Sequence, residues 1–246
     1  MRMHWFCGVL IFAMLAALIA GCGGTGAAQH PTTNVLDPSY ASLDVKTIAV
    51  LPFLSDIRDD ADPDKVAGPM VEGKFLKALN VGSGFTLLAS SEVGRAVEKE
   101  GLQRKMQDFY KSWIADQEDV DQEFIRKVAA DMKVDAVVAG TVDVWHQQPV
   151  DITQSGSART TVGMLVAVFD GVTGKRLWLG RDENFKDAVR YTSAGETTEV
   201  GRKENERTLE RTNVRTAGGV YAPPEFAEVV DIVVASLVQA FPKRRR

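Results

Sequence analysis

"VKTIAVLPF", residues 45–53, sets the reading of the whole chain. Val45, Ile48, Val50 and Leu51 form a short apolar, β-branched run that ends on Pro52, a residue unable to donate to a strand ladder. Such a run predicts a buried strand. Downstream, "FTLLAS" (85–90) predicts a second strand, after which Ser90 or Ser91 caps a helix with Val93, Ala96 and Val97 on one face. Between the two strands, "ADPDKVAGPMVEGKFLKAL" (61–79) predicts a helix capped by Asp62 with Pro63 at its first position, unless Gly68-Pro69 delays the start.

Residues 121–132 place Phe124, Ile125, Val128, Ala129 and Met132 at helical spacing. They lead into "VDAVVAGTVDVW" (134–145), a third strand. "ARTTVGMLVAVFD" (158–170) and "GKRLWLGRDE" (174–183) predict two more, joined as a hairpin through Asp170-Gly171-Val172-Thr173-Gly174. Gly174 is assigned a positive φ in that turn, Gly140 a close backbone approach inside its strand, and Trp178 a place on the sheet. After Pro223-Pro224, apolar residues from Phe226 to Phe241 recur at i, i+3, i+4 and i+7, a strong helix signal. The expected fold class is α/β (α+β), a mixed sheet of about five strands packed with three to four helices and closed by the C-terminal helix.

The chain starts differently. Trp5–Ala20 carries no charge and follows a single basic residue, Arg2. A helix that crosses a bilayer needs about 20 apolar residues, so this run is short for a permanent span and suits a cleaved secretory signal. It closes on Leu18-Ile19-Ala20-Gly21-Cys22, which resembles the bacterial lipoprotein signal, a branched apolar residue and two small residues before a cysteine. The resemblance implies cleavage ahead of Cys22, a diacylglyceryl group on its thiol and an acyl group, such as palmitate, on the freed amine. Several acyl chains anchor firmly where one binds only marginally. The competing readings are an ordinary signal with an incidental cysteine, or an uncleaved anchor. Glycine rather than aspartate at position 23 leans towards the outer membrane, facing the periplasm.

Domain organisation follows. Residues 1–21 are the signal, and 22–44, rich in Gly, Thr, Ala, Pro and Ser, read as a flexible tether. Residues 45–242 read as a single α/β periplasmic domain, with a polar insertion at 192–219 that is either a loop or an extended hairpin. Residues 243–246 form a basic tail, read as solvated or as a weak contact with anionic lipid or wall polymer. The whole chain has a formal net charge of −4, and loss of Arg2 makes the mature chain one unit more negative. That balance argues against nucleic acid as a partner. Of the two cysteines, Cys7 leaves with the signal, so the mature chain cannot form an internal disulfide.

Motifs with chemistry are sparse. In "DIRDDADPDK" (56–65), aligning Asp60, Asp62 and Asp64 to a calcium loop puts Lys65 where the turn glycine belongs and Val71 where the bidentate glutamate belongs. A solvated loop with a helix cap fits better. Gly21, Gly23 and Gly26 match a dinucleotide fingerprint by spacing only, with no strand before them. His30 and His146 have no neighbouring ligands, so neither a metal site nor a cofactor is expected. "MQDFYKSWI" (106–114) aligns Met106, Phe109, Tyr110, Trp113 and Ile114 along one helical stripe. The stripe reads as core packing or as a partner-docking surface, with Met106, Phe109, Tyr110 and Trp113 as the docking residues in the second case.

The order "TIAVLPF", helix, "FTLLASSEVGRAVEKEGL", "VAADMKVDAVVAGTV", "VAVFDGVTGKRLW" resembles a group of periplasmic domains. They are shared by the amino-terminal part of the TolB translocation protein, the curli-secretion lipoprotein and the lipoprotein activator of penicillin-binding proteins. Ile48, Val50, Pro52, Gly140 and the turn from Gly174 to Trp178 carry the likeness. It implies a non-enzymatic accessory or assembly subunit of a secretion or cell-wall system, held to the membrane through lipidated Cys22 and binding an envelope protein. An oligomeric secretion channel of the curli type is the alternative, and homo-oligomerisation stays open. A channel needs hairpin strands of about 9 to 11 alternating residues, which neither 192–219 nor 103–121 offers. A hydrolase acting on wall or lipid would rest only on location and scattered acids.

Overall fold

The computed structural model of the protein describes residues 32–88, 90–117, 120–151, 157–188, 215–216 and 220–244. The signal, Cys22 and most of the insertion at 192–219 lie outside the described residues.

The run at 45–53 becomes strand β2, Thr47–Val50, with Ile48, Ala49 and Val50 fully buried. The chain breaks at Pro52 and resumes as β3, Leu54–Ser55. Helix α1, Ala67–Gly82, then carries it to β4, Thr86–Leu88, which pairs parallel with β2. Helices α2 (Ser90–Lys99), α3 (Gln103–Ala115) and α4 (Gln122–Met132) return it to β5, Ala136–Gln148, which is parallel to β2 on the other side. After the short β6, Val150–Asp151, strands β7 (Arg159–Asp170) and β8 (Arg176–Asp187) form the expected hairpin. Helix α5, Phe226–Ala240, closes the fold.

The sheet runs β1-β8-β7-β5-β2-β4, with β3 paired to β5 beyond the break in β2. One face packs against α1 and α5 through Phe53, Phe75, Trp145, Trp178, Leu237 and Phe241. The other packs against α2, α3 and α4 through Leu51, Phe109, Trp113, Phe124 and Phe169. The α/β class and closing helix stand as expected. The sheet is wider than five strands because segments outside the apolar runs add to it.

One of these corrects the tether of 22–44. Residues Thr33–Leu36 form β1, antiparallel to β8, and Pro38–Ser42 form a 3-10 turn that buries Tyr40. Asn34 accepts a hydrogen bond from Trp178 Nε1 at 2.8 Å, and Tyr40 Oη donates to the Lys243 carbonyl at 3.3 Å. Composition misread the segment because a four-residue edge strand needs few apolar residues when its backbone and one amide supply the binding. Of the insertion, Arg215–Thr216 (β9) pairs with Val220–Tyr221 (β10), which also pairs with β6.

Local chemistry fixes the register. The helix after Asp62 starts later than Pro63, at Ala67, yet Asp62 still holds its start. Its buried carboxylate accepts from the backbone N–H of Val66 at 2.9 Å and of Ala67 at 3.2 Å, and from Ser55 Oγ at 3.2 Å. Gly174 adopts φ +75° in the hairpin turn, where a Cβ would lie 2.5 Å from the Gln122 carbonyl oxygen. The Phe53 ring lies flat against Gly140, so a Cβ there would overlap the ring. Asp135 Oδ2 accepts from Lys46 N at 2.9 Å, Thr47 N at 2.8 Å and Thr47 Oγ1 at 2.9 Å, which pins the start of β5 to the start of β2.

Two predictions follow from this geometry. Gly140→Ala should cost about 1–3 kcal/mol by overpacking the Phe53 ring, read as a lower denaturation midpoint with an unchanged denaturant slope. Burial opposes the charge of Asp135, but the N–H groups of Thr47 and Lys46 outweigh it and hold the carboxyl below its ordinary 3.8. A depressed carboxyl contributes stability above its unfolded value and loses that contribution as pH falls through the folded one. Asp135→Asn should therefore be less stable than wild type near neutral pH. The gap should close as the pH is taken below about 4, and a gap constant with pH would contradict the assignment.

Candidate interaction surfaces

In open α/β sheets the default ligand crevice lies beyond the carboxyl ends of the strands, where crossovers leave on opposite faces. Here that point is the end of β2, since α1 crosses on one face and α2 to α4 on the other. Structural groups occupy it. Glu72 Oε2 accepts from Phe53 N at 2.9 Å, and Glu72 Oε1 accepts from Ser90 Oγ. From the opposite layer Tyr110 Oη donates to the Pro52 carbonyl at 2.7 Å. Burial pushes the Tyr110 phenol well above its ordinary range, and the Glu72 charge acts in the same direction. It stays a donor at any physiological pH.

The aromatic stripe of 106–114 lies on α3 and turns inward. Phe109, Tyr110 and Trp113 have no exposed surface and Met106 is half-buried against the same cluster. Phe109 meets Phe124 at 5.3 Å and Phe169 edge-on at 5.7 Å, and Trp113 meets Phe169 edge-on at 6.1 Å. The docking reading of Met106, Phe109, Tyr110 and Trp113 is corrected by this burial. Helix α3 lies over the ends of β5 and β7, and its apolar stripe is the layer's core. Cys22, the expected lipidation site, lies outside the described residues.

Two further features were not visible in the sequence. On β8, alternation puts Arg181 and Glu183 on the helix α2–α4 face and Asp182 on the other. Arg181 Nε and Nη2 both contact Asp143 Oδ2 at 2.8 Å, and Nη2 lies 3.5 Å from Glu183. Alternation along β5 puts Asp143 on the same face as Val137 and Ala139, just before the pairing with β7 shifts register between Val142 and Val144. Among the described residues Arg181 Nη1 and Asp143 Oδ1 are buried without a hydrogen-bond partner, as is Asp182 Oδ2, whose other oxygen accepts from Thr32 Oγ1 at 3.0 Å. The cluster holds its two carboxylates against one guanidinium. Among the described residues no group of three or more His, Cys, Asp or Glu side chains is placed to hold a metal.

The second feature is an open apolar groove of about 290 Å³ where α1 and α5 end. Leu79, Ser83, Ala235, Val238, Phe241 and Lys243 line it.

Fold and surfaces define a three-layer, mixed α/β domain. No protein-family model matches the chain, and no curated protein does. Solved structures are similar to it. Lipoprotein GNA1162 from Neisseria meningitidis is 18% identical over 68% of this chain and 96% of its own, with a TM-score of 0.35. A PelC dodecamer from Paraburkholderia phytofirmans is 12% identical over 87% and 99%, at 0.42. The LpoB C-terminal domain from Salmonella enterica is 12% identical over 57% and 83%, at 0.32.

Because α3 is core, truncating it should unfold the domain rather than weaken a partner. Trp113→Ala should cost about 3–5 kcal/mol. Tyr110→Phe should cost about 1–3 kcal/mol, since it strands the buried Pro52 carbonyl. Thermal melts check both. A Trp113→Ala protein as stable as wild type would return the stripe to the surface.

Proposed function

We propose that this protein is an exported lipoprotein, anchored to the outer membrane through acylated Cys22, whose domain works by binding in the periplasm. In this reading it is a non-enzymatic accessory or assembly subunit of a secretion or cell-wall system. The observation that carries it is Leu18-Ile19-Ala20-Gly21-Cys22 at the end of the short uncharged run Trp5–Ala20. The order of fold-forming segments supports it, since two of the three groups of domains it resembles belong to lipoproteins of envelope systems. The geometry agrees with a binding role. The crevice at the end of β2 is taken up by Glu72, Ser90 and Tyr110 in structural bonds, and the carboxylates of the ion cluster on β5 and β8 face Arg181. Among the described residues no helix is long and apolar enough to cross a membrane, so attachment falls to the start of the chain.

The test is acylation. Wild type should take up labelled palmitate and fractionate with outer membranes, while Cys22→Ser should remain as unlabelled precursor. Equal label on both proteins would sink the proposal. Pull-downs from membranes should then return an envelope protein with the wild type.

A further inference from the structure

The sheet ends on one side in β1, and among the described residues no strand lies beyond it. The inner edge of β1 fixes which of its groups face out. Asp37 N donates to the Leu177 carbonyl at 2.8 Å, and Leu36 lies opposite Trp178. Bonded pairs alternate along an antiparallel ladder, so Asp37, Val35 and Thr33 bond inward to β8. The backbone N–H and C=O groups of Asn34 and Leu36 therefore point away from the sheet. The opposite edge, β4, is three residues long, and with Thr86 N bonded to the Lys46 carbonyl it directs only Leu87 outward.

Natural edge strands are kept from pairing by charge, proline or a bulge. Thr33–Leu36 has no charged residue and no proline, and its ladder with β8 runs without a register shift. Its apolar side chains are open on both faces of the sheet, Val35 52% and Leu36 51% exposed. Val35 shares a face with Leu179, and Leu36 shares the other with Trp178. Outward N–H and C=O groups in this spacing are met in full only by another extended backbone.

We infer that two copies of this chain join β1 to β1, antiparallel, about a two-fold axis at Val35. In that register Asn34 faces Leu36 of the second copy and each such pair exchanges two backbone hydrogen bonds, so every outward N–H and C=O of both strands is met. Val35 meets Val35 in the closer, non-bonded pairing, where β-branched side chains strengthen a ladder. Asp37 falls opposite Thr33, so no like charges meet. Centring the axis on Leu36 would set Asn34 against Pro38, which has no N–H, and centring it on Asn34 would call on Thr32, outside the strand. The strand is thus complementary to itself, as a two-fold contact requires, and it carries no charge that would select a foreign strand. Four residues a side bury far less than the roughly 1,200 Å² of a stable complex, so the pair is weak in dilute solution. It forms where copies are crowded, as on a shared membrane, and that setting alone rests on the proposed anchor.

Disulfide trapping tests both the contact and its register. The chain begun at Gly23 keeps every element described above and has no cysteine, since the two in the sequence are Cys7 and Cys22, so its outcome does not depend on acylation. Residues opposed in a non-bonded pair have Cα atoms about 4.5 Å apart, within disulfide reach, whereas the two Leu36 residues lie two positions out of register, beyond the limit of about 7 Å. Under mild oxidation Val35→Cys should form a covalent dimer at least about tenfold faster than Leu36→Cys, its match in exposure, and faster than Val172→Cys, which is 79% exposed in the hairpin turn. Adding Leu36→Pro to Val35→Cys removes an outward N–H at a place where an edge strand tolerates proline, and should cut the rate several-fold with little change in melting temperature. Equal rates at positions 35 and 36, a rate at 35 no faster than at 172, or no effect of Leu36→Pro would overturn the inference. So would a full-length Val35→Cys protein that, in membranes, is trapped only with a different protein. Failure of palmitate labelling would remove the lipoprotein reading and leave this result as measured.

Discussion

The break in β2 at Pro52 is the constraint on which the rest of the structure depends. Proline has no N–H, so the ladder with β5 stops after Leu51, whose N–H donates to the Val138 carbonyl at 2.8 Å. The displaced backbone then has a carbonyl at Pro52 and an N–H at Phe53 without strand partners, both in the interior. Each is satisfied from a different helical layer, the carbonyl by Tyr110 on α3 and the N–H by Glu72 on α1. Ser90 on α2 closes the other oxygen of Glu72. One defect in one strand therefore couples three helices on two faces of the sheet. A buried backbone group left unpaired would cost about as much as a lost hydrogen bond, so these side chains are set by the break.

The same break places the Phe53 ring across Gly140, which lets α1 approach the sheet without a void. On the opposite layer the aromatic cluster of Phe109, Trp113, Phe124 and Phe169 does the filling. The two layers differ in chemistry beyond the helices. Towards the far ends of β5, β7 and β8, one face continues apolar with Trp145 stacked on Phe226 at 3.9 Å. The other turns ionic at Arg181, Asp143 and Glu183. A buried ion pair is weak evidence of stabilisation, because desolvation offsets the attraction. Its effect here is to join β5 to β8 across β7, since Asp143 and Arg181 lie on strands that do not pair with each other.

How much of this was legible in the sequence depends on range. β2, the 159–187 hairpin and α5 were readable because their signals are local: an apolar run ended by proline, a turn with glycine at its positive-φ position, and a 3.6-residue period. Asp62 was readable as a cap, but its reach to Val66 and Ala67 across the turn was not, so the helix start moved. The stripe from Met106 to Ile114 showed a face and could not show what covers it. Helical periodicity is identical for a stripe that meets Phe169 and one that meets a partner. β1 was missed for the opposite reason, since it is held by the edge of β8 and by the Asn34 amide on Trp178, both distant in the chain. The Arg181 cluster joins β5 to β8 across β7, and the pattern within one strand does not show which residue of another it meets.

The ordering of β1 changes what a tether means for this domain. A segment of 22–44 wholly outside the fold would let the domain drift from its anchor by the length of the segment, and its orientation would be free. With Thr33–Leu36 in the sheet and Tyr40 in the core, Thr32 lies beside Asp182, half-way along β8. On the proposed anchor at Cys22, any pull from the membrane is delivered along β1. β1 is antiparallel to β8, so the load runs parallel to the strands and is shared by the ladder bonds of the pair together with the Asn34–Trp178 bond. Sharing of that kind resists a steady pull better than bonds broken one at a time. The edge strand caps the open edge of the sheet, and on that proposal it would also be the joint between domain and anchor, a load for which the side-chain bond to buried Trp178 is suited.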